Sequence, residues 1–169
     1  MKYVYEAGLF NGVSETEFDL GSPFSRAMFV TVLGRLCGAD PFWYGWTAFP
    51  DVPLNEWYTP YVTWAASEGL VNGMGDGRFD PAGDLTQEQM YKIAALCASV
   101  LGIGKTPPAN ALSGYPDASA VSDWAVSGTA WCAANGLIRS GSSIDPQKVV
   151  TRGTAAVFFA AFAKLAGKS

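Results

Sequence analysis

Histidine is absent from this chain of 169 residues. Its absence removes the commonest general base and metal ligand at neutral pH, so catalysis would have to rest on carboxylates, Cys, Ser or Tyr. The Asp and Glu residues are scattered through turns and helix caps, and none forms an evident pair of acid and base. The segment 76–80 also lacks the alternating oxygen ligands and the closing Glu of a calcium loop. The sequence therefore predicts no enzyme, no cofactor and no metal site.

Long hydrophobic runs and an excess of basic residues are also missing. The longest apolar run, 155–163, is far shorter than the roughly 20 residues that a helix needs to cross a bilayer. The formal net charge of −4 is opposite in sign to the basic face of a protein that binds duplex nucleic acid. We therefore expect no membrane span and no nucleic-acid partner.

Cysteine is scarce, and the three occurrences are Cys37, Cys97 and Cys132. Their number is odd, none belongs to a Cys-x-x-Cys motif, and each lies in an apolar helical pattern. We interpret all three as small buried apolar residues, in preference to a redox or metal role.

What the sequence does contain is a repeated unit, complete between 49 and 101. Its pattern predicts a helix that ends at Gly69, a loop with three glycines within 72–77, and a second helix that opens at Thr86. The glycines, Gly73 among them, indicate that the backbone turns sharply or approaches another group closely. The predicted buried face of the second helix consists of Met90, Ile93, Ala94, Cys97, Val100 and Leu101.

Two further copies of this unit keep the same order of motifs. The matched segments are 8–12 with 69–73, 18–19 with 79–80, and 115–117 with 49–51. We predict repeats at 1–40, 47–102 and 114–167, which together form one module. The first copy lacks its opening motif and most of its first helix.

Each copy has an apolar helix face that it cannot bury alone, so the copies are expected to pack on one another. The predicted fold is all-α, with three helix-loop-helix repeats packed as a pseudo-threefold helical bundle. The faces that correspond to the one on the second copy are Phe29, Val32, Leu33 and Leu36 in the first copy, and Ala155, Phe158, Phe159 and Phe162 in the third.

An aromatic linker follows the incomplete first copy. Its four rings are Phe42, Trp43, Tyr44 and Trp46. Such a cluster can stack on a sugar or pack over an open edge of the core, and packing is favoured because apolar rings bury more often than they bind. We expect this linker, or a second chain in a homo-oligomer, to cover the apolar face of the first copy.

The motifs of the complete copy resemble those of the S-layer homology domain family. They are Asp-Val at 51–52, Trp-Tyr at 57–58, Gly-Leu-Val-Asn-Gly at 69–73, Phe-Asp-Pro at 79–81 and Thr-x-x-Gln at 86–89. The resemblance implies an extracellular, non-catalytic module that anchors a protein to the bacterial cell wall. It also implies, as partner, a secondary cell-wall polysaccharide associated with peptidoglycan, often pyruvylated, bound in grooves between repeats. The alternative is a structural or self-assembly module whose glycan site is vestigial.

The family's second helix typically begins Thr-Arg-Ala-Glu, with the Arg in the ligand groove. Carried over by position, that residue is Arg26 in the first copy, Gln87 in the second and Arg152 in the third. An Arg just inside a helix start lies beside unpaired amides and the positive end of the helix dipole, which suits a carboxylate. The alternative is that Arg26 and Arg152 are solvated or pair with a nearby Asp. Removing either arginine is expected to affect folding little.

Four other residues complete the candidate site with Gly73. Trp57 and Trp124 can offer a ring face to a sugar, although their helical spacing favours packing in the core. Asp51 and Asp117 are expected to cap or turn the chain ahead of a first helix, and the family places this motif near the groove.

The third copy departs from the second in its first helix. Gly128 and Thr129 stand where the second copy has Tyr61 and Val62. We expect this exchange to weaken the apolar stripe of that helix.

Overall fold

The computed structural model describes residues 19–168. Its five α-helices are α1 (Arg26–Cys37), α2 (Thr59–Ser67), α3 (Gln87–Leu101), α4 (Val126–Ala134) and α5 (Arg152–Leu165). Extended residues in this range pair only through isolated bridges and form no strand, so the all-α prediction is confirmed. None of these helices is long and apolar enough to span a bilayer. The predicted repeat motifs at 8–12 and Phe18 lie outside the described residues.

The three long helices begin in the same way. Ser25, Thr86 and Thr151 stand at the N-caps of α1, α3 and α5, and each hydroxyl accepts a hydrogen bond from the amide three residues later. Only Thr86 has a complete capping box, because the Gln89 side chain also accepts the Thr86 amide at 3.1 Å. The predicted helix start at Thr86 is therefore confirmed.

A ring of backbone hydrogen bonds joins these three helix starts. The N–H donors and carbonyl acceptors are Arg26 to Gly83, Ala27 to Pro81, Gln87 to Lys148, Glu88 to Pro146, Arg152 to Ser22, and Gly153 to Leu20, at 2.9–3.1 Å. Each helix start thus donates to the turn ahead of the next long helix, and the order closes on itself. The first-turn amides, which a helix cannot satisfy internally, are used to hold the helices together.

The predicted apolar faces are largely buried. Both outer faces, on α1 and α5, are shielded from solvent throughout. On α3 the first four residues of the predicted face are buried, but Val100 is 56% exposed. That part of the prediction is wrong because α4, the helix packed against α3, has nine residues and cannot cover all 15 of α3.

Only Tyr44 of the aromatic linker packs against the core, and the other three rings are exposed, so the expectation that this linker covers the first copy is also wrong. Phe42 and Trp43 are 81% and 72% exposed, and Trp46 is half exposed. Helix α2 packs on α1 instead, so closely that a Cβ at Gly34 would lie 2.6 Å from Tyr61. The apolar face of the first copy is thereby buried within one chain, which removes the ground on which a homo-oligomer was expected.

Candidate functional site

Asp51 and Asp117 hold the two glycine-containing loops closed. The Asp51 carboxylate accepts the amides of Phe79 at 2.9 Å and Asp80 at 2.7 Å. Asp117 accepts the equivalent amides of Ile144 and Asp145, both at 2.8 Å. Asp80 and Asp145 have φ of 59° and 50°, in the left-handed region that costs a non-glycine residue energy. The carboxylates therefore stabilise the backbone of these two loops, and their contact with a ligand stays a prediction.

Both carboxylates remain ionised at neutral pH. Burial acts to raise the pKa of Asp51, but the backbone N–H groups of Phe79 and Asp80 outweigh it and lower that pKa below its ordinary value. The pKa of Asp117 is lowered in the same way by the amides of Ile144 and Asp145, against the opposing effect of burial. The two loops are thus held by charge-assisted hydrogen bonds.

A groove of about 250 Å³, here called the central groove, lies between the loop 70–74 and one face of α3. Its polar side chains come from Arg26, Asn72, Gln89 and Lys92, and its apolar ones include Met74, Ile93, Leu96 and Trp124. Three residues of the predicted site, Arg26, Gly73 and Trp124, therefore meet in one place. The groove combines positive charge with apolar surface.

Arg26 is only 6% exposed. Its Nε donates to the Phe79 carbonyl at 2.9 Å, and its guanidinium lies 4.8 Å from the centre of the Phe79 ring. Burial lowers the pKa of Arg26, while Asp80 and Asp51 act to raise it. The alternative of a solvated arginine is therefore wrong for Arg26, which is buried. The expectation that it lies beside unpaired amides is also wrong, because the amides of Arg26 and Ala27 donate to the turn ahead of α3. Its removal will therefore affect folding as well as the groove.

Lys92 provides the second cation of the central groove. Its ammonium group lies 5.1 Å from the centre of the Trp124 ring, a cation–π distance. Trp124 itself is 48% exposed and Trp57 is 52% exposed, so the prediction that both are mainly core residues is wrong. The reason is local: Trp57 precedes the start of α2 and Trp124 lies in a 3-10 turn before α4, outside the buried helical stripe.

Gly73 makes the sharp turn that the sequence predicts. Its φ is +76°, and a Cβ on it would lie 2.5 Å from the Arg78 carbonyl oxygen. The neighbouring Met74 amide donates to that same oxygen at 2.8 Å. The close approach is thus made by the loop to itself, and it shapes one wall of the central groove.

The remaining predicted residues lie elsewhere. The Gln87 side chain accepts the Tyr91 hydroxyl at 2.7 Å, and Arg152 is buried at the start of α5. Neither these two nor Trp57 is among the residues that line the central groove. The groove expected on the first copy would involve the segment 8–12, which is outside the described residues.

A second groove, here called the third-copy groove, lies on α5 and the loop after α4. Its volume is about 610 Å³, and its lining includes Leu137, Arg139, Thr154, Val157, Phe158 and Ala161. These six residues occupy the repeat positions of Leu70, Asn72, Gln89, Lys92, Ile93 and Leu96. The two grooves therefore lie at equivalent positions of the repeat but are lined by different side chains.

Reasoning from the sequence missed Lys92 and Leu96. Both lie on the same helix face as Gln89, three and seven residues further on. This spacing from the capping residue was the available signal, because it places the side chains in line along the groove. Within 19–168, no group of three or more Cys, Asp or Glu side chains could hold a metal ion.

Comparison with known proteins connects this geometry to a family. Residues 48–90 match the family model of the S-layer homology domain. A cell surface protein of Thermoanaerobacter kivui is 33% identical over 90 residues, covering 51% of this chain and 12% of that protein. The surface-layer 125 kDa protein of Lysinibacillus sphaericus is 27% identical over 159 residues, covering 91% of this chain and 13% of that protein. The exoglucanase XynX of Acetivibrio thermocellus is 28% identical over 147 residues, covering 86% of this chain and 13% of that protein.

The matched region contains the loop wall of the central groove, whereas Arg26, Lys92 and Trp124 lie outside it. Residues 48–90 supply Asp51, the loop 70–74 and the start of α3 with Gln89. The chain spans only 12% or 13% of each of these relatives, so it corresponds to one part of much larger proteins. Residues 48–90 are thereby identified as an S-layer homology domain, and the chain as a whole is similar to surface-layer and cell surface proteins.

Proposed function

We propose that this chain is a non-catalytic module that anchors a protein at the extracellular cell surface by binding an anionic secondary cell-wall polysaccharide. The match of residues 48–90 to the S-layer homology domain, and relatives named as surface-layer and cell surface proteins, support the anchoring role. The observation that carries the ligand assignment is the meeting of Arg26, Lys92 and Trp124 in the central groove.

The chemistry of this groove matches a sugar that bears a carboxylate, such as a pyruvyl ketal. Lys92 offers an ammonium group as a compact point charge, and Arg26 adds a second, largely buried positive charge to the same groove. Trp124, which is half exposed, offers an apolar ring to the C–H face of a sugar. A ligand with charge at one end and a sugar face beside it would use all three.

The direct test is sedimentation of the protein with purified cell walls, before and after the secondary polymer is stripped. We expect the protein to pellet with intact walls and to stay in the supernatant with stripped ones. Lys92→Val should reduce the pelleted fraction. Lys105→Val is the matched control, since it removes the same charge from an exposed residue outside the grooves described here. Equal pelleting with both wall preparations would contradict the proposal.

A structural or self-assembly role is the second candidate, because of the exposed aromatic linker. Phe42, Trp43 and Trp46 present rings to solvent, and the Phe42 and Trp43 rings contact each other edge to face at 5.4 Å. Exposed aromatic clusters are typical of protein contact surfaces. Concentration-dependent association that disappears in Trp43→Ser, together with pelleting that does not depend on the polymer, would favour this role over glycan binding.

A further inference from the structure

Two cysteine side chains from different helices meet in the structure. Cys37 is the last residue of α1 and Cys97 lies in α3, 60 residues further along the chain. Their sulfur atoms are 3.1 Å apart. A disulfide requires about 2.05 Å, so the two sulfurs need to approach by roughly 1 Å to bond. Neither residue lines the central groove or the third-copy groove.

We infer that Cys37 and Cys97 form a disulfide that joins α1 to α3 when the protein meets a low-molecular-weight disulfide as oxidant. The pair has the asymmetry that exchange chemistry needs, since Cys37 is half buried while Cys97 is 1% exposed. An incoming oxidant therefore reaches Cys37 first, and Cys97 lies behind it as the resolving thiol.

The charge environment supports this order of events. The hydrogen bond with Cys97 lowers the pKa of Cys37, with burial opposing it and the positive charge of Lys168 assisting it. The same hydrogen bond, together with burial, raises the pKa of Cys97. Cys37 is thus the better nucleophile of the two.

The reaction balances as two exchanges. The Cys37 thiolate attacks one sulfur of the oxidant, forms a mixed disulfide and releases one thiolate of the oxidant. Cys97 then loses its proton and attacks the Cys37 sulfur, which releases the second half of the oxidant. Two protein S–H bonds are replaced by one S–S bond, and the oxidant is reduced to two thiols that take up the two protons.

Cys132 supplies an internal control. It is fully buried, and its thiol donates to the Tyr91 carbonyl at 3.6 Å. Burial raises the pKa of Cys132 well above its ordinary value, so it is the least reactive of the three. The disulfide would close the segment 37–97, which contains α2 and the loop of the central groove, and would restrict the unfolded chain.

The test uses the full chain, incubated folded with oxidised glutathione and then unfolded and alkylated without a reductant, so that the buried thiol of Cys132 is also counted. Wild type should retain one alkylatable thiol of three, lose two hydrogen atoms in mass, and yield one linked peptide that contains Cys37 and Cys97. The melting temperature should rise by roughly 5–10 °C and return after treatment with dithiothreitol. Cys132→Ala should behave like wild type, whereas Cys37→Ser should show no rise.

Two results would overturn the inference. One is a wild-type protein that keeps all three alkylatable thiols after long incubation with the oxidant. The other is a stable adduct of glutathione on Cys37, which would mean that Cys97 cannot reach the mixed disulfide. Because Cys37 is at the partly exposed end of α1, Cys37→Ser should fold even if a change at Cys97 does not.

Discussion

The central groove and the third-copy groove occupy equivalent places, yet their side chains differ in kind. Where the central groove has Lys92, the third-copy groove has Val157, and Phe158 replaces Ile93. The third-copy groove has one arginine, Arg139, in the loop position of Asn72. The backbone frame is thus kept while the charge on the helix face is lost. Within residues 19–168 equivalent backbone positions therefore form a groove twice, and a lysine lines the helix face in only one of the two.

The two pairs of packed helices, α1 with α2 and α3 with α4, differ in which helix carries the glycine at the contact. Between α1 and α2 the small residue is Gly34, on the long helix, and it accommodates Tyr61. Between α3 and α4 the small residue is Gly128, on the short helix, where a Cβ would lie 2.7 Å from the Lys92 Cα. The expectation that Gly128 weakens this helix is therefore incomplete, because its lack of a side chain lets α4 approach the backbone of α3.

The largest expected effect comes from Gly128→Ala. On an isolated helix this change is favourable by about 1 kcal/mol. Here the added methyl group meets the backbone of Lys92, which cannot rotate away, so the free energy of unfolding should fall by about 2–3 kcal/mol. Urea denaturation measures it. Gly114→Ala is the control, since nothing lies within 4 Å of its Cβ position, and a gain in stability at Gly128 would refute the packing account.

Arg26→Met tests whether the groove cation also supports the fold. The substitution keeps an apolar stem but leaves the Phe79 carbonyl without its Nε donor and removes the contact with the Phe79 ring. We expect a loss of about 2 kcal/mol in the free energy of unfolding. The matched variant Arg139→Met removes an exposed arginine from the third-copy groove and should change stability by less than about 0.5 kcal/mol. Equal losses would contradict the difference between the grooves.

Lys92→Val gives the central groove the residue of the third-copy groove at that position. Loss of one hydrogen bond to a charged group should weaken glycan binding by about 1.5 kcal/mol, close to tenfold in Kd. Isothermal titration calorimetry with an acidic wall fragment measures it. An unchanged Kd would show that Lys92 is not a ligand contact.

The reverse exchange places positive charges in the third-copy groove. Gln87 stands at the start of α3 as Arg26 stands at the start of α1, and it bonds to Tyr91, which lines the third-copy groove. The double variant Gln87→Arg, Val157→Lys should therefore add a second, weaker binding event in the same titration. Because this groove has no counterpart of Trp124 among its described lining residues, its affinity should stay below that of the central groove.

The smallest expected effect is a loss of folding stability at acid pH. Because the folded-state pKa values of Asp51 and Asp117 are lowered, their contribution to stability is present above the unfolded value of about 3.9 and is lost as the pH falls through the folded pKa. Denaturation curves should therefore show stability falling below about pH 4. Asp51→Asn should cost about 1 kcal/mol at pH 7, since one of two amide partners is lost, and should flatten this fall. An equally steep acid response in the variant would exclude the carboxylate as its source.

Much of the fold follows from local signals. The hydroxyl at Thr86, the glycine at Gly69 and the apolar spacing of the long helices act within a few residues, so the sequence predicts them correctly. The position of the linker 42–46 depends on which segment packs against α1. This depends on tertiary packing: Phe42, Trp43 and Trp46 lie outside because α2 occupies the face that they were expected to cover.

The site divides along the same line. Arg26, Gly73 and Trp124 could be placed by motif, whereas Lys92 belongs to no motif, and its contact with Trp124 comes from the packing of the third copy on the second. The contact between Cys37 and Cys97 likewise joins residues 60 positions apart, so spacing along the chain could not indicate it. Both contacts depend on how neighbouring copies pack on one another.

The most direct test of the central claim is calorimetric titration of the wild-type chain with a pyruvylated wall fragment and with the same fragment after depyruvylation. If Lys92 and Arg26 bind the carboxylate in the central groove, the pyruvylated fragment should bind with a stoichiometry near one and about tenfold more tightly. Lys92→Val should remove most of that preference. Equal affinity of the wild-type chain for the two fragments would contradict the assignment of the groove to an anionic glycan.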